Sequence, residues 1–487
     1  MRCMICGSEL NGCLCPRCGF DLSQCREQSP TLADDGRQPE AIWVGLNRRF
    51  EEPQASTPAP QPVPVSTPVP GPKKKKKLWL IPLVAALLAL GVFIGVSSGG
   101  KNQPTVTTPA PQQNTVEAQT PATRASSTSA STAKPDYSAD LRVALIMDYG
   151  DITDGSYNQA VYEGAMEWCE ENNRGRMTCF KLAGDSTADR VDAIESAIEE
   201  GYDVLLLPGW SFAGAIVETV EIYPDVKFIA LDVSEWDLQD ARGTYVDFSW
   251  KYPANLYSAV YQEELAGYMA GVAAVKLGYT KIGFLGAMAV PEVVRYGYGF
   301  VQGVNDAAKE LGNVADIELK YVYGNQFFGD ADILDYMDTW YAAGTEVVFA
   351  CGGGIYTSAA DAAKKVGGKV IGVDVDQAPT INDGWGKDMT VTSAMKGLGA
   401  TAKAQLGKIA DGSFRGGIVE ALGIVSENPE ENFVQLAPST QWAEGKFTEN
   451  DYRALVSDLL YGRINVSDAT DVPPDVDIFV DYQGNIK

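Results

Sequence analysis

The amino-acid sequence predicts an α/β fold from about residue 139 onward, with two doubly wound parallel-sheet lobes joined by a hinge. Short apolar runs alternate with amphipathic stretches of helical length; the runs are RVALIMD, DVLLLPG, KFIALDV, KIGFLGA, EVVFACGGG and KVIGVDV. Strands that alternate with helices predict βαβ units and therefore parallel sheets. The alternation extends over more than 200 residues, which is more than one doubly wound sheet usually takes.

Two interruptions of this pattern predict where the chain passes between the lobes. Proline and asparagine break the alternation near Phe248–Asn255, and a second break lies near Val375–Thr380. We therefore expect a first lobe over about 139–249 and 378–440, and a second over about 250–377. A C-terminal extension over 441–487 follows.

The N-terminal residues 1–28 carry two Cys-x-x-Cys pairs, and they predict a small zinc ribbon. Each pair can present two thiolates to one tetrahedral Zn²⁺, so the predicted structural ligands are Cys3, Cys6, Cys15 and Cys18. A disulfide cluster is the alternative, but a reducing cytoplasm argues against it. Cys13 and Cys25 remain over, so a permuted ligand set is also open.

A single membrane anchor is predicted over residues 73–97. Lys73–Lys77 precede Leu78–Val96, a run of 19 residues without a charge, and this length suits a transmembrane helix. The lysines favour the cytoplasmic side, which predicts a cell-membrane protein with a cytoplasmic N-terminus and an extracellular C-terminal domain. A cleaved signal peptide is disfavoured, because 72 residues precede the lysines.

Two linkers flank the predicted anchor. Residues 29–72 are polar and rich in proline, which predicts an extended spacer. Residues 98–138 are rich in Thr, Ser, Pro, Ala and Gln without an apolar period, and we expect this second linker to be disordered.

Charge and the lack of histidine exclude several functions. The formal net charge is −25, and such an acidic protein is poorly suited to bind nucleic acid, because phosphate repels it. The chain contains no histidine, so neither a Ser-His-Asp triad nor a zinc ion held by imidazoles can form. An enzyme is not excluded, because carboxylates and lysine can do acid–base work, but the usual proton shuttle at neutral pH is missing.

The residues that follow the predicted strands are candidates for ligand binding, because ligands of parallel α/β sheets sit beyond the carboxyl ends of the strands. They supply aromatic rings, carboxylates and amides but few cations. The candidates are Asp154, Tyr157, Asn158, Trp210, Asp232, Tyr296, Gly354, Asp374 and Lys396. Aromatic faces and carboxylates without an arginine cluster suit a neutral, flat, hydroxylated ligand such as a nucleoside or a sugar.

The same residues have purely structural interpretations. Asp154 or Ser156 is suited to capping a helix, and Trp210 and Tyr296 are also plausible core aromatics. A tight turn is the favoured explanation of Gly352–Gly354, and solvated turns account equally for Asp374 and Asp376. Cys169 and Cys179 are predicted either to form an extracellular disulfide or to be buried thiols.

Several motifs resemble those of the basic membrane protein family. DITDGSYNQAVYEGA is similar to the family motif D-x-S-F-N-x-x-x-x-x-G, and GYMAGVAA, IGFLGAMAVPEVVRYGYGFVQGV, VIGVDVDQ and TSAMKG resemble later family blocks in the same order. The resemblance covers about residues 141–470. It implies a type I periplasmic-binding-protein fold and a purine-nucleoside-binding protein of an ABC transporter, with a permease as partner.

The resemblance also implies roles for individual residues. Tyr157 and Tyr296 occupy the stacking positions, and Trp210 lies where the family often has phenylalanine. Asp154 and Asn158 are expected to contact the base. Asp374 is expected to bind the ribose hydroxyls beside Lys396.

The predicted function is a membrane-tethered extracellular solute-binding protein that captures a nucleoside for an ABC transporter. One alternative is a receptor that senses the ligand and signals through the cytoplasmic zinc ribbon. A less favoured alternative is a nucleoside hydrolase that uses Asp374 and Asp376, the one tempting pair of carboxylates in the sequence.

Overall fold

A computed structural model describes residues 141–173 and 175–487. The predicted zinc ribbon, membrane anchor and linkers lie outside these residues. Within the described ranges, no helix has the length and apolarity needed to cross a membrane. The same part of the chain contains no group of three or more potential metal-ligating side chains placed to hold an ion.

Strands and helices alternate along the described chain. The strands are β1 (Arg142–Met147), β2 (Arg176–Lys181), β3 (Val204–Pro208), β4 (Lys227–Leu231), β5 (Leu256–Tyr261), β6 (Lys281–Gly286), β7 (Glu318–Tyr323), β8 (Val347–Cys351), β9 (Lys369–Asp374), β10 (Thr390–Lys396), β11 (Ile418–Leu422), β12 (Val434–Leu436) and β13 (Phe479–Asn485). The helices are α1 (Tyr157–Asn172), α2 (Thr187–Glu199), α3 (Ala213–Thr219), α4 (Glu235–Arg242), α5 (Glu263–Leu277), α6 (Pro291–Leu311), α7 (Ala331–Ala342), α8 (Tyr356–Val366), α9 (Ala378–Trp385), α10 (Leu398–Ala410) and α11 (Glu449–Leu460).

The strands form two sheets, one for each lobe. The first lobe has a six-stranded sheet in the order β11-β5-β4-β3-β1-β2, and the second has a seven-stranded sheet in the order β12-β10-β9-β8-β6-β7-β13. All pairs are parallel except β10 with β12, which is antiparallel. The prediction of an α/β fold with parallel sheets is therefore confirmed.

The central strands are buried on both faces because helices cover both sides of each sheet. Every residue of Val204–Pro208 and Val347–Cys351 is buried. This burial explains why these strands read as continuous apolar runs rather than as alternating patterns.

The predicted lobe boundaries are wrong at three strands, because β5 lies in the first lobe whereas β10 and β12 lie in the second. β5 was expected in the second lobe but pairs with β4 in the first. Asn255, expected near the seam, donates from Nδ2 to the carbonyl oxygens of Val220, Tyr223 and Val226 at 3.0–3.1 Å, which ties the start of β5 to the first lobe. Likewise β10 pairs with β9 in the second lobe, although the first was expected. The break at Phe248–Asn255 thus marks the start of β5, the break at Val375–Thr380 marks the start of α9, and neither is a crossover.

The chain crosses between the lobes at three connections that lie side by side. Gln262 joins β5 to α5, Gly397 joins β10 to α10, and a longer segment joins β11 to β12. The backbone N–H of Gln262 donates to the Leu422 carbonyl at 2.9 Å, and that of Gly397 donates to the Phe433 carbonyl at 2.7 Å. These hydrogen-bonded crossovers form the hinge region.

In the second lobe, α5 and α6 approach each other closely through glycines. A Cβ atom added at Gly267 of α5 would lie 2.1 Å from the carbonyl oxygen of Tyr296, and one added at Gly299 of α6 would lie 2.1 Å from the carbonyl oxygen of Glu264. Only glycine permits this backbone contact. The contact fixes the first turns of α6 against the start of α5, which follows directly after the first crossover.

The predicted C-terminal extension packs on the second lobe. α11 contacts α5, and β13 adds a parallel strand beside β7 at the sheet edge. Among the described residues, Cys169, Cys179 and Cys351 are free thiols, so the alternative of a disulfide between Cys169 and Cys179 is not realised.

Candidate functional site

A cleft lies between the lobes, beyond the carboxyl ends of the strands and next to the crossovers. Eight of the nine predicted ligand-binding residues line it, namely Asp154, Tyr157, Trp210, Asp232, Tyr296, Gly354, Asp374 and Lys396. Asn158 is buried but is not one of the lining residues. The topology thus brings residues from seven separate segments of the two lobes to one cleft.

Lys396, the last residue of β10, is the charged centre of the cleft. Its side chain is 3% exposed and forms an ion pair with Asp232. Its Nζ also lies 3.5 Å from Glu263 Oε1 and 3.9 Å from Asp374 Oδ1. Burial alone would lower the pKa of Lys396, but the facing carboxylates raise the pKa above its ordinary value, so the ammonium stays charged.

Carboxylates outnumber cations at this point of the cleft. Burial raises the pKa of Asp374 to about 6, although Lys396 and the Ser156 hydroxyl oppose the shift. Burial, together with the charges of Asp232 and Glu263, raises the pKa of Glu292 to about 8. Glu292 is therefore mostly a neutral carboxylic acid at pH 7, which can donate a hydrogen bond.

Aromatic rings surround the ammonium group. Lys396 Nζ lies 5.0 Å from the ring centroid of Tyr157 and 5.7 Å from those of Tyr261 and Tyr296. Tyr296 packs edge-on against Phe349, with ring centroids 6.0 Å apart. Tyr157 donates its hydroxyl to the Leu231 carbonyl at 3.2 Å, so its hydroxyl is bound by protein while its ring lines the cleft.

Three buried polar atoms of the cleft have no hydrogen-bond partner among the described residues. They are Asp232 Oδ1, Glu292 Oε2 and the Tyr296 hydroxyl, and all three residues line the cleft. Buried polar atoms almost always have a partner, because an unsatisfied group loses its hydration without compensation. Their convergence on one cavity indicates a place for a polar ligand.

Two of the cleft carboxylates belong to residues with a left-handed backbone conformation. Asp232 follows β4 with φ +57°, and Asp374 ends β9 with φ +66°. Residues other than glycine seldom adopt this left-handed conformation, although aspartate tolerates it better than most. Such strained positions cluster at functional sites, and here they occur at equivalent strand ends of the two sheets.

The loop before α1 has a partly structural role. The Asp154 carboxylate accepts hydrogen bonds from the backbone N–H groups of Ser156, Asn158 and Gln159 at 2.8–3.2 Å. Asn158 donates from Nδ2 to Asp154 and to the Tyr149 carbonyl. Asp154 therefore caps the helix. Ser156 was the other candidate for that role, but its side chain does not cap the helix.

Ser156 instead connects the two lobes. Its hydroxyl donates to Asp374 Oδ2 at 2.5 Å, and Gln377 Nε2 donates to the Gly155 carbonyl at 2.8 Å. At the cleft mouth, the ring of Tyr149 stacks on that of Phe327, with centroids 5.7 Å apart and planes at 21°. Because these contacts join the two lobes, the cleft is closed in this structure.

Some residues of the cleft were not predicted from the sequence. Asp148 lines the cleft and forms a buried ion pair with Arg190 while it accepts a hydrogen bond from Ser211. Burial raises the pKa of Asp148. Glu292 and Phe327 also line the cleft. Asp148 ends the run RVALIMD and Glu292 follows Pro291, so the strand-end rule could have found both, whereas nothing in the sequence signals that Arg190 is buried.

Asp374 and Asp376, the two carboxylates that a hydrolase could have used as an acid–base pair, have different surroundings in the structure. Asp374 faces the cleft, but Asp376 accepts hydrogen bonds from the Ser439 hydroxyl at 2.6 Å and from the Ala378 backbone N–H at 3.1 Å. Asp376 is thus engaged by local structural groups, and the hydrolase alternative loses its acid–base pair.

Comparisons with known proteins identify a family of solute-binding proteins that matches this chain. Residues 141–429 match the family model Bmp, described as ABC transporter substrate-binding protein PnrA-like. The chain is 29% identical over 294 residues to the ABC transporter nucleoside-binding protein BmpA of Lactococcus lactis, which covers 58% of this chain and 78% of that protein. It is 28% identical over 273 residues to basic membrane protein A of Borreliella burgdorferi, with 53% and 69% covered.

Solved structures support the fold. An ABC transporter solute-binding protein from Conexibacter woesei superposes with a TM-score of 0.52 at 20% identity, covering 67% of this chain and 99% of that one. One from Aeropyrum pernix gives a TM-score of 0.51 at 19% identity, covering 67% and 87%. Because the matching family consists of solute-binding proteins, the prediction that the chain is not an enzyme is confirmed. The chain belongs to the Bmp family of ABC transporter substrate-binding proteins.

Proposed function

We propose that this protein is a membrane-tethered extracellular solute-binding protein that captures a nucleoside, with a preference for purines, for an ABC transporter permease. The observation that carries the proposal is the cleft in which a buried lysine, unsatisfied carboxyl oxygens and tyrosine rings converge. The name of the Lactococcus lactis relative, a nucleoside-binding protein, supports the same ligand class.

The charged centre of the cleft suits the ribose. A carboxylate accepts two hydrogen bonds from a vicinal diol, and an ammonium group donates to hydroxyl oxygens. Asp374 and Lys396 lie 3.9 Å apart, which is close enough for both to contact one sugar. Carboxylates outnumber the cations there, so a phosphate group would be repelled, and a neutral nucleoside is favoured over a nucleotide.

The aromatic side chains suit the base. Tyr157, Trp210 and Tyr296 all line the cleft, and stacking of a base on an aromatic ring is worth about 1–3 kcal/mol. Asp154 lines the cleft as well, but its carboxylate already caps α1. We therefore assign recognition of the base edge to the unsatisfied carboxyl groups of Asp232 and Glu292, and to Asp154 chiefly a positioning role for Tyr157.

Ligand capture follows from closure about the three crossovers. The closed cleft places Ser156 against Asp374 and Tyr149 against Phe327, and each pair joins one lobe to the other. A ligand that contacts both lobes binds the closed form more tightly and shifts the equilibrium toward it by that differential affinity. The permease then has a distinct closed surface to recognise.

A thermal-shift screen of the ligand-free full chain tests the ligand class. The panel contains guanosine, inosine, adenosine, uridine, the free bases, ribose and a nucleoside monophosphate. We expect at least one purine nucleoside to raise the melting temperature more than its base, ribose or monophosphate does, because a ligand stabilises the folded state by mass action. A screen in which only sugars bind, or in which nothing binds, rejects the nucleoside proposal.

The zinc ribbon and the membrane tether remain part of the proposal, on the strength of the sequence alone. Replacing Cys3 and Cys6 with serine should abolish stoichiometric zinc in the full chain while ligand binding persists. Removal of residues 73–97 should release the protein from the membrane fraction. Zinc that survives the first change, or membrane association that survives the second, contradicts the respective assignment.

The two Cys-x-x-Cys pairs favour a second candidate function, a receptor that reports ligand closure to the cytoplasm. A transport subunit has no evident need for a zinc module on the far side of the membrane. Deleting residues 1–28 distinguishes the candidates, because a receptor loses its cellular response while nucleoside uptake continues. Intact uptake with no other phenotype leaves the receptor without support.

A further inference from the structure

Glu292 occupies an unusual position in the cleft wall. It is the second residue of α6, directly after Pro291, and it is 7% exposed. Its side chain lines the cleft, yet its Oε2 atom has no hydrogen-bond partner among the described residues. A carboxyl group placed only for packing would be expected to find a protein partner for that oxygen.

We infer that Glu292 determines specificity by donating a hydrogen bond, as a neutral carboxylic acid, to an acceptor atom of the nucleoside base. The inference rests on the proposed nucleoside-binding function and names the chemistry that the wall adds to it. The acceptor is a ring nitrogen or a carbonyl oxygen of the base. Aromatic stacking alone does not distinguish one base from another, whereas a directed donor does.

The charges around Glu292 explain why the acid is neutral. The groups that act on it electrostatically are Asp232 after β4, Glu263 at the start of α5, Arg295 in α6 and Lys396 at the end of β10, and Glu292 in turn acts on Tyr157 in α1. Both cations are engaged elsewhere. Arg295 Nε donates to Glu263 Oε2 at 2.7 Å, and Lys396 pairs with Asp232.

The N-terminus of α6 opposes this effect, because a helix N-terminus favours negative charge. Burial and the two facing carboxylates outweigh it, and the pKa of Glu292 is raised to about 8. A neighbouring unsatisfied atom, Asp232 Oδ1, is an acceptor, so the wall offers both a donor and an acceptor to the edge of a base.

The inference is tested by measuring nucleoside affinity against pH. Adenosine and guanosine are titrated calorimetrically into the ligand-free full chain at pH 7, 8 and 9. With a pKa of about 8, the neutral fraction of Glu292 falls about tenfold between pH 7 and pH 9, so we expect the dissociation constant to rise about tenfold. Guanosine itself ionises near pH 9, the upper limit of the titration. Its affinity is therefore judged by the ratio of the dissociation constants of a variant and the wild type at the same pH.

Two variants isolate the role of Glu292. Glu292→Gln keeps an N–H donor without a titrating group, and we expect its dissociation constant to change less than twofold over the same range. Glu292→Leu removes the donor, and we expect at least tenfold weaker binding at pH 7. Glu318→Gln is the matched control, because the Glu318 side chain on β7 is 59% exposed, and this variant should follow the wild type.

Each outcome decides the inference. A wild-type affinity that is constant from pH 7 to pH 9 overturns it, and this result needs no variant to fold. A Glu292→Gln variant that weakens with pH as much as the wild type also overturns it, while the proposed function survives. If neither of these nucleosides binds at any pH, the role of Glu292 in reading their bases is overturned, and the proposed function fails as well if inosine and uridine do not bind either.

Discussion

Replacing Lys396 with methionine removes the one ammonium group that three buried carboxylates share. Asp232 pairs with it directly, and the nearest oxygens of Glu263 and Asp374 lie at 3.5 and 3.9 Å. Methionine keeps most of the side-chain volume, so the change is mainly one of charge. We expect the free energy of unfolding at pH 7.5 to fall by about 3–5 kcal/mol, which is typical when one partner of a buried ion pair is removed.

The loss is measured by urea unfolding followed by circular dichroism. Lys365→Met is the matched control, because Lys365 pairs with Asp338 at 2.6 Å at the surface, where the two side chains are 51% and 35% exposed. Such surface pairs contribute about 0–1 kcal/mol. The Lys396→Met deficit should shrink as the pH falls toward 5, because the abandoned carboxylates then take up protons.

A double variant tests whether Lys396 compensates the buried negative charge of Asp232. Adding Asp232→Asn to Lys396→Met neutralises the carboxylate that lost its partner and should recover part of the stability. If Lys396→Met is as mild as Lys365→Met, or if Asp232→Asn deepens the loss, then the cleft lysine does not compensate buried negative charge.

Three further changes test other parts of the account. Because the pKa of Glu292 is raised to about 8, the folded state binds more protons than the unfolded state between about pH 4.5 and 8. The melting temperature of the ligand-free protein should therefore fall as the pH rises from 5.5 to 8. A melting temperature that rises over this range would contradict the burial of this acid. Phe327→Ala removes a ring that closes the cleft mouth and should speed nucleoside dissociation in stopped-flow experiments by about 5–20-fold, whereas its neighbour Phe328, which is 61% exposed, should tolerate the same change with little effect. Gly267→Ala should lower the free energy of unfolding by about 1–3 kcal/mol, because the new Cβ would lie 2.1 Å from a backbone oxygen, while Gly384→Ala, with nothing within 4 Å, should be neutral or slightly stabilising; equal effects would argue against the close contact of α5 with α6.

The class of the fold could be predicted because each strand and each helix has its own local pattern in the sequence. Runs such as Val204–Pro208 are wholly buried, and their continuous apolarity reflects helices on both faces of a parallel sheet. The lobe boundaries could not be predicted in the same way. Whether β5 pairs with β4 or with a strand of the other lobe depends on contacts made far along the chain, such as those of Asn255 with the turn after α3.

The position of the site was predictable for a similar reason, since the carboxyl ends of parallel strands meet at one edge. Which side chains are left for a ligand was not. Asp154 is engaged by the backbone of α1, Ser156 reaches across to Asp374, and Asp232 keeps one oxygen without a partner. The helix cap by Asp154 is local and was among the interpretations of the sequence, whereas the pairings of Ser156 with Asp374 and of Asp232 with Lys396 depend on distances between the two lobes, which nothing local in the sequence encodes.

Calorimetric comparison of a nucleoside with its own parts tests the central claim most directly. Guanosine, guanine and ribose are titrated into the ligand-free wild-type chain and into Asp374→Ala. We predict that the wild type binds guanosine far more tightly than either part, and that Asp374→Ala weakens guanosine at least tenfold while guanine changes less than threefold. Equal losses for guanosine and guanine, or no binding of guanosine to the wild type, would contradict a cleft that holds ribose with its carboxylates and base with its rings.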